Sequence, residues 1–176
     1  MDFVFAGRGI VGERCLRILK SLALHPHTIA LLGDGRESKY GVGVCDVLWS
    51  VHWPIKFTAE NIASAKIAAL NVHNSYLPWC RGTDAPYWTL KEKTPCGATV
   101  HWLDEGIDTG PICWQRYVET YSDDTPEILY DRIANEEVFL FTMVTRRLLA
   151  GEPLGKEPQV GEGSFHRKAD REANNK

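Results

Sequence analysis

The sequence predicts an α/β protein built on a Rossmann-like, mostly parallel sheet with flanking helices. Three observations predict it. Short apolar, β-prone runs alternate with helix-spaced segments up to Val72, the alternation that gives parallel strands joined by crossover helices. A glycine cluster follows the first of these runs directly. Beyond it, two strand-like runs flank a glycine-bounded loop, and a long helical pattern follows.

Asp2–Ala6 (DFVFA) reads as the first strand. Around Glu13–Ser21, apolar residues at Cys15, Leu16, Ile18, Leu19 and Leu22 keep helical spacing. His27–Leu32 is a second short strand, closed by the turn Gly33-Asp34-Gly35. Cys45–Trp53 is a third, stopped by Pro54. Thr58–Ala65 predicts a short helix and Ile67–Val72 a fourth strand. Ala98–Leu103 and Pro111–Val118 are the strand-like runs around Asp104–Gly110 (DEGIDTG). Thr125-Pro126 then opens a helix as N-cap and first-turn proline. Apolar spacing carries it to Gly151, with a break expected near Ala134-Asn135. Residues 1–150 are expected to form one catalytic domain. The tail 151–176, rich in Gly, Pro and charge, is expected to pack on or near it and to be loosely held.

The 176 residues fit one domain, and 44% hydrophobic with 24% charged residues is a globular balance. A net charge of -3 argues against wholesale nucleic-acid binding. Cys15, Cys45, Cys80, Cys96 and Cys113 are odd in number and lack CxxC spacing, so buried thiols are expected rather than a disulfide framework or zinc site. No metal is expected. The N-terminus has no signal-peptide core of the usual length, and no apolar run approaches the roughly 18 residues of a membrane span. The chain is therefore expected in the cytoplasm, away from membranes.

Gly7-Arg8-Gly9-Ile10-Val11-Gly12 is a literal GxGxxG between a strand and a helix, with Asp34 at the end of the next strand. Three readings stay open: a nicotinamide cofactor, a phosphate site for another ligand, and a structural tight turn. Too few βα units follow for a full dinucleotide domain.

The chemistry concentrates in Asn71–Ile112. Asn71 and His73 sit two apart at the end of a strand, hence on one face. They stand at the carboxyl end of a parallel strand, where such sheets place ligand crevices. Asp108 lies in the glycine-flanked loop. A histidine, an amide and a carboxylate in one crevice can transfer an acyl group to an amine: the amine loses a proton, the carbonyl oxygen gains charge, and the leaving nitrogen is protonated.

Asn71, His73, Ser75, Leu77 and Pro78, then Arg81 and Gly82, then Gly97, Thr99 and His101, then Gly106, Asp108 and Gly110 form a multi-part pattern. This pattern resembles the folate-dependent formyltransferases. The wording between the motifs, and Gly163–Asp170 (GSFHRKAD), is most similar to the sugar-nucleotide N-formyltransferases. The resemblance covers Cys45–Asp131 well and the N-terminal part loosely. It implies a formyltransferase-type fold with an abbreviated N-terminal half, since only 70 residues precede Asn71. It also implies 10-formyltetrahydrofolate as formyl donor and a nucleotide-linked amino-deoxysugar as acceptor. His73 would be the general base, Asn71 the donor to the developing oxyanion, and Asp108 the group that supports His73.

The same resemblance places the donor against Trp49, Ser50, Val51, Trp53, Asp104, Gly106 and Ile107. It places the acceptor against Gly7, Arg8, Gly9, Tyr76, Trp79, Arg81 and Gly82. Ser75 is expected to support its loop through hydrogen bonds. His101 is expected in the core or behind the catalytic groups, and His52 either touches the pterin or is a partly buried strand residue. Trp79 and Trp88 are core or stacking residues. Other readings are transfer to a different small amine such as glycinamide ribonucleotide, a non-catalytic folate or nucleotide module, and a small NAD-binding regulator. The end of the long helix and Pro111–Val118 offer faces on which a homodimer could form.

Overall fold

In a computed structural model, the described residues are 1–22, 28–31 and 42–174, with backbone alone for 28–31 and 174. The expected turn at Gly33–Gly35, Asp34, His25 and His27 lie outside them. One sheet has the strand order β2-β1-β3-β4-β6-β7. The strands are β1 (Asp2–Gly7), β2 (Thr28–Leu31), β3 (Cys45–Val51), β4 (Ala65–His73), β6 (Gly97–Trp102) and β7 (Ile112–Tyr117). The first four pair parallel, while β6 is antiparallel to both β4 and β7. The sheet is thus mostly parallel, as the sequence predicts.

The two-residue period of a strand sorts side chains between the faces. Phe3 and Phe5, Val47, Trp49 and Val51, Leu70 and Val72, and Ala98 and Val100 meet α1 (Gly9–Leu22) and α4 (Pro126–Leu149) in the main core. Val4, Ala6, Leu48 and Ala69 face the opposite side, with Phe57 and partly buried Ile62 of α2 (Ala59–Ala63). Thr58 caps α2 in a reciprocal box with Asn61. Asn71 and His73 alternate out of the main core onto this second side. β4–β6 pairing brings His101 opposite Asn71 and Thr99 opposite His73.

The expected break in α4 is absent: the helix runs 24 residues from its Thr125 cap. Ala134 is buried, while exposed Asn135 is fixed outside the core by Arg14 Nη2 at 3.0 Å. Four elements carry no sequence expectation: β5 (Arg81–Gly82), α3 (Ala85–Glu92) and the tail elements β8 (Phe165–His166) and α5 (Lys168–Asn174).

The tail is not loosely held. Ile112 and Glu157 exchange main-chain hydrogen bonds, Trp102 Nε1 donates to the Gly155 carbonyl at 2.8 Å, and β8 pairs with β5. These bonds satisfy polar groups that would otherwise cost free energy where they are covered. Among the described residues no helix is long and apolar enough to cross a membrane.

Candidate active site

A cleft of about 560 Å³ opens at the carboxyl ends of β3 and β4. Asn71, His73, His101 and Asp108 share one of its walls. Asn71 and His73 arrive on β4 and His101 on β6. Asp108 comes from the loop between β6 and β7, with φ of 54°.

That loop is built to hold its shape. Asp104 Oδ1 accepts from the Gly106 amide at 2.9 Å and from Thr109 Oγ1 at 2.8 Å. A Cβ on Gly106 would lie 1.7 Å from Thr109 Oγ1, so glycine is required for the close approach. Gln159, from the tail, donates to the carbonyls of Asp108 and Gly110, each at 2.8 Å.

Asp108 is the hub. Its Oδ2 accepts from the Gly82 amide at 2.9 Å and lies 3.7 Å from His73 Nδ1. Its Oδ1 lies 3.3 Å from Asn71 Nδ2 and 3.4 Å from His101 Nε2. Burial pushes its pKa up, but the nearby His73, the His101 contact and the Gly82 amide outweigh burial. The carboxyl is held well below the ordinary range.

The carbonyl partners fix the histidine hydrogens, because a carbonyl can only accept. His101 Nδ1 donates to the Trp102 carbonyl at 2.9 Å, and its Nε2 lies 3.0 Å from Asn71 Nδ2 and 3.4 Å from Asp108 Oδ1. His73 Nε2 donates to the Cys80 carbonyl at 3.1 Å, which leaves Nδ1 facing Asp108. The amide hydrogens of Asn71 thus point to His101 and Asp108. The arrangement offers a ring nitrogen able to take a proton, a carboxylate to stabilise the resulting cation, and an amide donor beside both.

The cleft also takes in Ser50, Trp53, Gly82, Asp104, Gly106 and Ile107 of the residues singled out in the sequence. Others fall elsewhere. Trp49 and Val51 point into the main core by strand alternation, and Trp49 packs on Phe141 with ring centroids 4.6 Å apart. Tyr76 lies against Tyr117, and Trp79 packs beside Cys80, Ala85 and Trp88, so neither lines the cleft. Arg81 Nε donates to Gln159 Oε1 at 3.0 Å and braces the tail. Gly7, Arg8 and Gly9 are not among the lining residues, although the Arg8 guanidinium lies 5.7 Å from the ring centroid of Trp53, which is. The buried Ser75 hydroxyl has no partner among the described residues. The adjoining loop is held instead by Thr99, which donates to the Ser75 carbonyl at 2.7 Å.

Sequence reasoning missed Asn74, Thr83, Asp84 and the tail residues Phe165–Lys168, all of which line the cleft. A second cavity of about 460 Å³ shares Asn74 and Asp84 with it and adds Tyr87, Glu127, Tyr130, Asp131 and Arg171. His166 stacks on Trp88 at 4.0 Å, and its Nε2 lies 3.2 Å from Glu92 Oε2. Cys80 Sγ is 3.4 Å from Thr94 Oγ1 and 3.5 Å from Thr89 Oγ1. These contacts satisfy the Cys80, Glu92 and His166 group without an ion. All five cysteines are buried and unpaired. Burial pushes the Cys15 and Cys45 thiols up, Cys96 to about 12 and Cys113 to about 11, which leaves these four poor nucleophiles.

The formyl transferase family profile matches residues 46–145. The mitochondrial 10-formyltetrahydrofolate dehydrogenase of Mus musculus is 35% identical over 106 residues, 60% of this chain and 12% of that protein. The methionyl-tRNA formyltransferase of Aromatoleum aromaticum is 33% identical over 136 residues, 75% of this chain and 42% of that protein. This chain thus matches only a part of the length of either relative. Among solved structures, the formyltransferase PseJ from Anoxybacillus kamchatkensis, in complex with UDP-4,6-dideoxy-4-formamido-L-AltNAc and tetrahydrofolate, superposes with a TM-score of 0.84 at 28% identity. The match covers 98% of this chain and 89% of that one.

Proposed function

The chain belongs to the formyl transferase family, and from that premise we propose that it is an N-formyltransferase. In this reading it moves the formyl group of 10-formyltetrahydrofolate to the amine of a nucleotide-linked amino-deoxysugar. The observation that carries the reading is the convergence of Asn71, His73 and Asp108 on one cleft wall. The PseJ complex, with its formamido sugar nucleotide and tetrahydrofolate, supports the donor and the acceptor class.

The donor occupies the large cleft, against Ser50, Trp53, Gly106 and Ile107, with the formyl carbon near Asn71. The acceptor comes from the second cavity and the Arg8 side, because Asn74 and Asp84 join the two spaces. The acceptor nitrogen attacks the formyl carbon, and a C–N bond forms. His73 Nδ1 takes the amine proton, becoming an imidazolium between the Cys80 carbonyl and the Asp108 carboxylate. The formyl oxygen, now anionic, replaces Asp108 on Asn71 Nδ2, since the 3.3 Å bond is the longer of that amide's two. His73 then returns the proton to the folate nitrogen as its bond to carbon breaks. The products are the formamide and tetrahydrofolate.

A second reading keeps the chemistry and changes the acceptor to another small amine. It is favoured by Glu127 and Asp131 around the second cavity, which with Arg171 paired to Asp84 leave it net acidic and better suited to hydroxyls or a cationic amine than to phosphate. The test is incubation of the purified chain with 10-formyltetrahydrofolate and UDP- or dTDP-linked amino sugars, beside glycinamide ribonucleotide. Formamide on a sugar nucleotide supports the first reading. Formamide on the ribonucleotide alone supports the second, and no transfer to any of them contradicts the proposal.

A further inference from the structure

We propose that His52, held by the buried Glu137, is an anion-binding residue that receives the phosphates of a nucleoside-diphosphate acceptor. It rests on the acceptor reading above and adds a residue to it.

His52 follows β3 with φ of 52°, a left-handed conformation that side-chain-bearing residues rarely adopt. Its Nε2 donates to Glu137 Oε1 at 2.6 Å. Glu137 lies in α4 and is 0% exposed, and its second oxygen has no partner among the described residues. A buried pair of this kind is a poor device for stability alone, since apolar residues of similar volume commonly do as well. Burial pulls His52 toward its neutral form, but the Glu137 charge and hydrogen bond outweigh burial and hold its pKa above the ordinary value. The pair thus favours the cationic ring at a place where burial alone would favour the neutral one.

That place is the junction of the two cavities. His52 lines the large cleft, and its ring centroid is 6.1 Å from that of Tyr130, which lines the second cavity. No described residue accepts from its Nδ1. Arg8 brackets it: the Arg8 amide donates to the Val51 carbonyl at 3.0 Å, and its guanidinium stands by Trp53. The charged and titratable groups around the pair are Glu137, Tyr130 and Asp131 from α4, Cys15 and Arg14 from α1 and Arg8 from the turn after β1. Glu137 is matched by His52, and Arg8 has no ion-pair partner among the described residues. Arg8 and His52 thus put positive charge at the junction, while Glu127 and Asp131 leave the far wall of the second cavity net acidic even with Arg171 paired to Asp84. An acceptor with phosphates at one end and hydroxyls or an amine at the other matches that polarity.

Calorimetric titration of the full chain tests this, with UDP, dTDP and inorganic pyrophosphate as probes and uridine as the uncharged control. The wild type is expected to bind the three anions, and more weakly as pH rises and His52 loses its proton. His52→Gln and Glu137→Gln are expected to weaken anion binding about tenfold, the size of one lost charge-assisted hydrogen bond. His52→Arg should restore most of it and remove the pH dependence. Uridine binding and Tm should not change in His52→Gln or His52→Arg.

Unchanged anion affinity in both glutamine variants overturns the proposal, as does a wild type that binds none of the three anions. A lowered Tm together with loss of both uridine and anion binding in all three variants makes His52 structural and also overturns it. Formyl transfer without anion binding would sink the anion site and leave the transfer reading standing. His52-dependent anion binding without transfer to any amine would do the reverse.

Discussion

Asp108 Oδ2 lies 3.7 Å from His73 Nδ1, the ring nitrogen on the side away from the Cys80 carbonyl. In the proposed mechanism that gap closes when His73 takes the amine proton, and the carboxylate then stabilises the cation it faces.

Asp108→Asn keeps the shape and removes the charge. Turnover is expected to fall by about 10²–10⁴-fold, the range for losing assisted proton transfer, with donor affinity little changed. Steady-state kcat and folate binding measured together would check this, and a kcat within a fewfold of wild type would contradict the role.

The pH dependence has a defined sign. Asp108 has a depressed pKa in the folded state. Its contribution to stability is therefore complete above the unfolded carboxylate value of about 3.9, and is lost as pH falls through the folded value. From about pH 5 upward the group stays charged, so the acidic limb of kcat/KM belongs to another residue. Asp108→Asn should lower the profile without removing that limb. Its disappearance in the variant would show that Asp108 itself titrates there.

Asn71→Ala removes the amide that bridges His101 and Asp108. A lost oxyanion donor costs about 10²–10³ in kcat. The loss should appear in kcat rather than in the KM of either substrate, because the contact to the formyl oxygen forms fully only as charge develops.

Gly82 has φ of 94°, and a Cβ there would lie 2.1 Å from the His166 carbonyl. Gly82→Ala should part β5 from β8 and loosen the amide that holds Asp108. A cost of about 1–3 kcal/mol is expected, seen as a fall in Tm of about 2–4 °C per kcal/mol, along with reduced turnover. An unchanged Tm would contradict the packing account.

Much of the sheet was legible because strand alternation and helix spacing are local signals. The match of Asn71 to His73 on one face is likewise a property of neighbouring residues. The pairing of β5 with β8 is not, since each strand has two residues and 84 positions separate Arg81 from Phe165. α3 has an aspartate at its start and Pro86 in its first turn, but Asp84 is left-handed and makes no side-chain cap, and the helix is only eight residues long. Glu137 carries no sequence expectation. Only the packing of α4 on the sheet shows it buried against His52. Trp49 and Val51 were assigned to the donor site by the stretch they belong to, whereas the two-residue period turns them into the core.

Single-turnover formyl transfer, followed as the rise of tetrahydrofolate absorbance with enzyme in excess over 10-formyltetrahydrofolate, tests the central claim most directly. With a UDP- or dTDP-linked amino-deoxysugar as acceptor, the wild type should convert the donor in one exponential phase, and His73→Ala should bind the donor yet convert it at least about 10²-fold more slowly. Equal rates for wild type and His73→Ala, or donor binding by the wild type with no conversion for any amine, would contradict it.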